Sequence, residues 1–222
     1  MQLNRYIDHT LLRPDIVPDD VIRLCREAID FDFYAVVVNP IHVSRAAEVL
    51  EKTKVQICSV VGFPLGASHP EIKVAEAVRA EGDGADEIDL VANIGWIQSR
   101  QCVLLADELT AVREALRSQT TLKVIIETPL TKPEYWPQIV EIIIQSGADF
   151  VKTATGFFGG TPAAHLRQLS EYCRGRIGIK AAGGIRSAAE AMDMIAAGAS
   201  RIGTSSAVAI MKETQGRLES DS

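Results

Sequence analysis

Apolar residues in this chain gather into short β-branched runs, separated by longer stretches where apolar positions recur every three or four residues. Seven runs have the length of buried strands: FYAVVV (33–38), VQICSVV (55–61), EIDLVA (87–92), LKVIIE (122–127), DFVKT (149–153), IGIKA (177–181) and SRIGT (200–204). A weaker eighth, YIDHT (6–10), is spaced like the others ahead of a helix predicted to open at Pro18.

The stretches between runs carry helix punctuation. Capping boxes are predicted at Ser68 to Glu71, Thr131 to Glu134 and Ser187 to Glu190, and the Thr161-Pro162 pair marks another start. Gly84-Ala85-Asp86, Gly147-Ala148-Asp149 and Gly198-Ala199-Ser200 each put glycine where a helix should end, just ahead of a strand. Strand and helix therefore alternate, which requires a parallel sheet. A doubly wound open sheet fits the same order, but strands this numerous and short favour a closed barrel. The prediction is an α/β chain forming a single (β/α)8 barrel over 1–215, with a disordered tail at 216–222.

Composition narrows the partners. A hydrophobic fraction of 47% without a membrane-length run predicts a soluble core, and a net charge of −6 spread without a basic patch argues against nucleic acid or anionic membrane as the partner. Small molecules remain. Cys25, Cys58, Cys102 and Cys173 are scattered, so neither a zinc site nor a disulfide framework is predicted. The opening MQLNRYIDHT has no secretory h-region, and the expected location is cytoplasmic.

Three of the strand runs contain a lysine: Lys123, Lys152 and Lys180. One lysine ending a strand usually reaches into water. Three on consecutive strands point instead to a polar pocket at one end of the sheet, where burial and mutual repulsion favour a neutral amine. A neutral amine attacks carbonyl carbon, so the chemistry predicted is a Schiff base. Strands lie about 4.8 Å apart, so Lys152, on the middle strand of the three, should have a lysine on either side and be the nucleophile. Lys180 should keep its proton and supply the depressing charge. Asp89 is either a proton-exchanging acid or a carboxylate that balances a buried lysine. Lys123 should pair with an acid such as Asp89 or Glu127, and Asp8 and Asn39 also fall at strand ends.

Glycines after the last three strands form a second constellation: Gly156, then Gly183-Gly184-Ile185-Arg186, then Gly203-Thr204-Ser205-Ser206. Such turns can be merely tight. Two adjacent ones before helices, with Arg186, Ser205 and Ser206, fit the phosphate site that barrels often build from the loops after strands seven and eight. His9 could hydrogen-bond at the barrel mouth, while His42, His69 and His165 read as surface residues. Neither a P-loop nor a dinucleotide fingerprint is present, so no nucleotide cofactor is expected.

With these residues in place, the chain resembles the deoxyribose-phosphate aldolase family, class I aldolases with a TIM-barrel fold. The resemblance rests on IDHTLL (7–12), VVVNP (36–40), VVGFPLG (60–66), EIDLVANIG (87–95), LKVIIET (122–128), DFVKTATGF (149–157), IKAAGGIR (179–186) and RIGTSSA (201–207), all in order. It implies reversible cleavage of 2-deoxy-D-ribose 5-phosphate to D-glyceraldehyde 3-phosphate and acetaldehyde without metal or cofactor. Lys152 would be the Schiff-base lysine, Lys180 the second catalytic lysine, Asp89 the proton-relay acid, and Lys123 and Asp8 supporting groups. Gly156, Gly183, Gly184, Gly203, Ser205 and Ser206 would hold the phosphate, and a homodimer is implied. The chain departs from the pattern at Val37, where relatives often have cysteine, at Ala154 and Ala182, where serine is common, and in the short FFGGTP loop. Longer relatives also end in a tyrosine, whereas the last tyrosine here is Tyr172. Three other readings share the scaffold. An isomerase or synthase would need no neutral lysine, an aldolase with a ketose phosphate donor would release no acetaldehyde, and a sugar-phosphate sensor would bind without turnover.

Overall fold

A computed structural model describes residues 2–220. Its eight strands are β1 (Ile7–Leu11), β2 (Ala35–Val38), β3 (Gln56–Val61), β4 (Glu87–Val91), β5 (Thr121–Ile125), β6 (Phe150–Lys152), β7 (Gly178–Ala182) and β8 (Arg201–Thr204). Each pairs in parallel with its neighbours in chain order, and β8 closes on β1 through the Asp8–Gly203 register. The helices are α1 (Pro18–Asp30), α2 (Val43–Leu50), α3 (Pro70–Gly82), α4 (Ile94–Gln98), α5 (Cys102–Ala115), α6 (Trp136–Gln145), α7 (Ala163–Cys173), α8 (Ala188–Ala196) and α9 (Ala207–Ser220). This is the predicted (β/α)8 barrel, with two helices rather than one between β4 and β5.

Helix ends follow the glycines. Gly84, Gly147 and Gly198 adopt φ of 112°, 79° and 112°, the left-handed geometry that terminates α3, α6 and α8. Starts follow the sequence less well. Only Ser187 forms its predicted box, accepting the Glu190 N–H at 3.2 Å while its own N–H donates to Glu190 Oε2 at 3.0 Å. At Thr131 the hydroxyl instead donates toward the carbonyls of Ile126 and Glu127 and accepts Trp136 Nε1–H, so α6 opens later, at Trp136. Ser68 is displaced by His69 as the residue before α3, and Pro162 stands just outside α7. α9 runs to Ser220, so the first five residues of the tail expected at 216–222 continue the helix; 221 and 222 lie outside the described residues.

The main core lies between strands and helices, where outward residues such as Val36, Val38, Ile88, Leu90, Leu122, Val124 and Val151 meet Leu24, Leu105, Leu109, Ile139 and Leu166. Each such side chain contributes about 1.5–3 kcal/mol on burial. Inward residues of β2 and β3 form a small second cluster of Val37, Cys58 and Val60 with Leu12 and Phe63. Charged side chains share the lumen with it. A further buried ion pair sits outside the barrel: Lys73 of α3 and Glu108 of α5 meet at 2.7 Å with both side chains fully buried. Lys73 also donates to Val91 O at 2.9 Å, and Glu108 Oε2 accepts the Asn93 N–H at 3.1 Å, so the pair clasps the chain leaving β4. No helix among the described residues is long and apolar enough to cross a membrane.

Candidate active site

Strands β1, β4, β5, β6, β7 and β8 each send a charged side chain into the lumen, and ion pairs join them into one network. Asp89 Oδ2 lies 2.6 Å from Lys152 Nζ and 2.7 Å from Lys180 Nζ, while its Oδ1 lies 2.9 Å from Lys123 Nζ. Lys180 reaches Asp8 at 2.5 Å, Lys123 reaches Glu87 at 2.7 Å, and Arg201 bridges Asp8 and Glu87 at 2.6 and 2.8 Å. The network therefore holds four cationic side chains (Lys123, Lys152, Lys180, Arg201) and three acids (Asp8, Glu87, Asp89). Fully ionised, it carries one positive charge too many.

The excess falls on Lys152. Burial pulls its amine below the ordinary lysine value and the Lys180 charge pulls the same way, against the opposing Asp89 carboxylate. Lys180 is equally buried, but Asp8 and Asp89 hold it above the ordinary value. Burial also works against Lys123, yet Asp89 and its other acidic neighbours keep it well above. For Asp89 burial is overcome by the three lysines and its carboxyl stays well below the usual range; Asp8 is depressed in the same sense by Lys180 and Arg201. Among these groups Lys152 is the amine held below its ordinary value, and so the one that gives up its proton most readily.

The register corrects one expectation. Lys152 pairs with Lys180 on β7 but with Ile125 on β5, whereas Lys123 pairs with Phe150, two residues deeper. Lys152 accordingly has one lysine neighbour, not two, and Lys123 pairs with Glu87 and Asp89 rather than Glu127. Glu87 and Arg201 were not singled out from the sequence. Glu87 stands two residues before Asp89 on β4, so strand alternation alone puts both on one face.

Lys152 borders a cavity of about 610 Å³ that opens over the ends of β1, β6, β7 and β8. Gly156, Gly183, Gly184, Arg186, Gly203 and Ser205 line it, as the glycine pattern suggested. Ser206 does not; it sits just before α9, and its N–H donates to Thr204 Oγ1 at 2.9 Å. Glycine is required at 183, where φ is +97° and a Cβ would meet Gly159 O at 2.9 Å; at 203 a Cβ would crowd Lys180 Cε at 3.2 Å. Among the described residues, the backbone N–H groups of Gly156, Gly184 and Ser205 take no acceptor within the chain. Together with the exposed Arg186 side chain they suit an anion. Thr10, Arg13, Arg23 and Thr155 also line the cavity, without having been flagged in the sequence. His9 lies at its edge with Nε2 2.7 Å from Glu27 Oε2 of α1, outside the lysine network. His165 is half-buried, its ring edge-on to Trp136 at 4.9 Å. Among the described residues no cluster of three or more His, Cys, Asp or Glu is placed to hold a metal ion.

Residues 3–213 match the family described as DeoC/LacD family aldolase. The chain belongs to that family. It is an aldolase, a carbon–carbon lyase. It is 43% identical over 217 residues to deoxyribose-phosphate aldolase of Enterococcus faecalis, covering 97% of this chain and 99% of the relative. Among solved structures, QR15, described as an aldolase, superposes with a TM-score of 0.92 at 40% identity, covering 97% of each chain. The deoxyribose phosphate aldolase of Aeropyrum pernix, described as having a unique tetrameric structure, superposes with a TM-score of 0.89 at 36% identity over 96% of this chain and 91% of that one. In this DeoC/LacD aldolase, as in any barrel of the kind, the cavity lies at the C-terminal ends of the strands.

Proposed function

We propose that this aldolase reversibly cleaves 2-deoxy-D-ribose 5-phosphate to D-glyceraldehyde 3-phosphate and acetaldehyde through a Schiff base on Lys152. The observation that carries the reading is a single amine, held below the ordinary lysine value, that borders the cavity while its charged partners lie behind it. Lys152 adds to C1 of the open-chain aldehyde, and loss of water from the carbinolamine leaves an iminium. An iminium at C1 accepts electrons from the bond one carbon removed, so the C2–C3 bond breaks as the C3 hydroxyl loses its proton. C3 to C5 leave as glyceraldehyde 3-phosphate. The two-carbon enamine is protonated at C2 and hydrolysed to acetaldehyde, which frees the amine.

The protons move through Lys180, Asp89 and water. Asp89 sits so far below the usual carboxylate range that it is a weak base; touching both amines through one oxygen, it relays a proton rather than storing it. Lys180, held protonated, is the donor. Lys123 and Asp8 keep the charges of this pair balanced from below. The amides of Gly156, Gly184 and Ser205, with Arg186, hold the 5-phosphate, and Gly183 and Gly203 keep its seat open by lacking a side chain. Ser206 contributes by fixing the turn before α9. A homodimer is the expected assembly, to be read by light scattering.

The test is borohydride trapping with 2-deoxyribose 5-phosphate, followed by intact mass, peptide mapping and a Lys152→Ala control. An adduct on Lys152, with acetaldehyde released in its absence, supports the reading. Active protein that yields no adduct overturns it in favour of an isomerase or synthase.

A further inference from the structure

Glu127 takes no part in the ion-pair network, yet its conformation is costly and closely held. It lies just past β5, fully buried, with φ of +49°, a left-handed conformation that disfavours a residue with a Cβ. The turn that follows locks it there. Its carbonyl accepts N–H groups of Leu130 at 2.9 Å and Thr131 at 3.1 Å, together with Thr131 Oγ1 at 3.1 Å. Trp136 Nε1 fixes that hydroxyl in turn at 3.0 Å.

The side chain crosses from the end of β5 to the loop after β6. Its Oε2 accepts the Thr155 N–H at 3.0 Å, and Thr155 Oγ1 accepts the Phe157 N–H at 3.1 Å. Gly156, at φ of +87°, is therefore held in a turn pinned on both sides. A Cβ on Gly156 would lie 3.5 Å from Gly183 Cα, so this turn rests directly against the glycine loop after β7. Thr155 and Gly156 both line the cavity. The second carboxyl oxygen, Oε1, is buried without a partner, and burial lifts this carboxyl above its ordinary value. Among the described residues, the hydrogen-bond partner of this carboxyl is Thr155, the residue that shapes the Gly156 turn.

We propose that Glu127 is a positioning residue for the phosphate end of the cavity, acting through the Thr155 N–H to aim the Gly156 amide at a sugar phosphate monoester. This inference rests on the assignment of the glycine loops as the phosphate site. It needs a hydrogen-bond acceptor at position 127, not a charge. Glu127→Gln retains a carbonyl oxygen, while Glu127→Gly removes it and is accommodated by the left-handed backbone.

The test compares kcat and KM for 2-deoxyribose 5-phosphate and for unphosphorylated 2-deoxyribose in the wild type and both variants. For the phosphorylated substrate Glu127→Gly is expected to raise KM up to about tenfold with kcat within about threefold, the scale of one lost hydrogen bond. For unphosphorylated 2-deoxyribose kcat/KM should stay within about threefold, and Glu127→Gln should stay near wild type on both. Equal losses on the two substrates in Glu127→Gly, or a Glu127→Gln as impaired as Glu127→Gly, overturn the inference. A wild type without preference for the phosphorylated substrate sinks the phosphate site itself. A wild type with strong preference, unchanged in Glu127→Gly, sinks only the role of Glu127.

Discussion

Replacing Lys73 by methionine should destabilise the barrel more than its distance from the cavity suggests. The substitution preserves an unbranched chain of similar length, so packing changes little. It leaves Glu108 fully buried, with the Asn93 N–H as its remaining partner and with Val91 O stripped of its donor. Burial already holds Lys73 below and Glu108 above their ordinary values, which shows how much both groups resist being charged there. Removing one partner of such a pair costs about 3–5 kcal/mol. At about 2–4 °C per kcal/mol for a chain of this size, Tm should fall by roughly 6–20 °C. Glu108→Leu should cost a similar amount. The double variant should lose much less than the two singles summed, because the two costs share one buried pair; its residual deficit comes from the unpaired Val91 O and Asn93 N–H, about 1–3 kcal/mol each. Thermal melts by circular dichroism, with urea midpoints as a check, measure all three. Single variants within about 1 kcal/mol of wild type, or a double variant equal to the sum of the singles, would refute this reasoning.

Three further outcomes are expected. Borohydride trapping should accelerate with pH as Lys152 loses its proton, reaching half its maximum below the ordinary lysine value of 10.5, because burial and Lys180 lower this amine; a trapping rate half-maximal at or above that value contradicts the assignment. Asp8 and Asp89 are depressed in the folded protein, so the stability they contribute is fully present above the unfolded value of about 3.9 and is lost as pH falls through their lower folded values. Urea midpoints followed from pH 6 to pH 2 should drop in that acid window, and the drop should shrink in Asp89→Asn. Gly183→Ala forces a side chain into a left-handed backbone against Gly159 O, and should cost about 1–3 kcal/mol while raising KM for the phosphorylated substrate; an unchanged melt and KM would contradict the packing described.

The alternation of strand and helix, the barrel and the five lysine and aspartate positions in its lumen were legible because each depends on local pattern. Short continuous buried runs mark β4 to β8, and Gly84, Gly147 and Gly198 mark where helices stop. Depth was not legible. Whether Lys123 sits beside Lys152 or below it depends on how far each strand is staggered around the closed sheet, and no single strand encodes that stagger. Glu87 was within reach of strand alternation, whereas Arg201 required knowing that β8 closes on β1. The Thr131 box failed because the Trp136 indole, five residues on, takes the hydroxyl oxygen that a box would offer to a backbone N–H. Lys73 and Glu108 lie on two helices whose contact the sequence does not announce.

The uneven count of charges in the lumen bears on what the far end of the substrate does. With Lys152 neutral, Lys123, Lys180 and Arg201 balance Asp8, Glu87 and Asp89; an iminium on Lys152 restores the surplus positive charge in a space where dissolved salt cannot screen it. In the reaction proposed above, a phosphate monoester seated at the mouth would arrive as the missing counter-ion. The substrate then carries its own electrostatic compensation into the barrel, and an aldehyde without that group must form the same cation unaided.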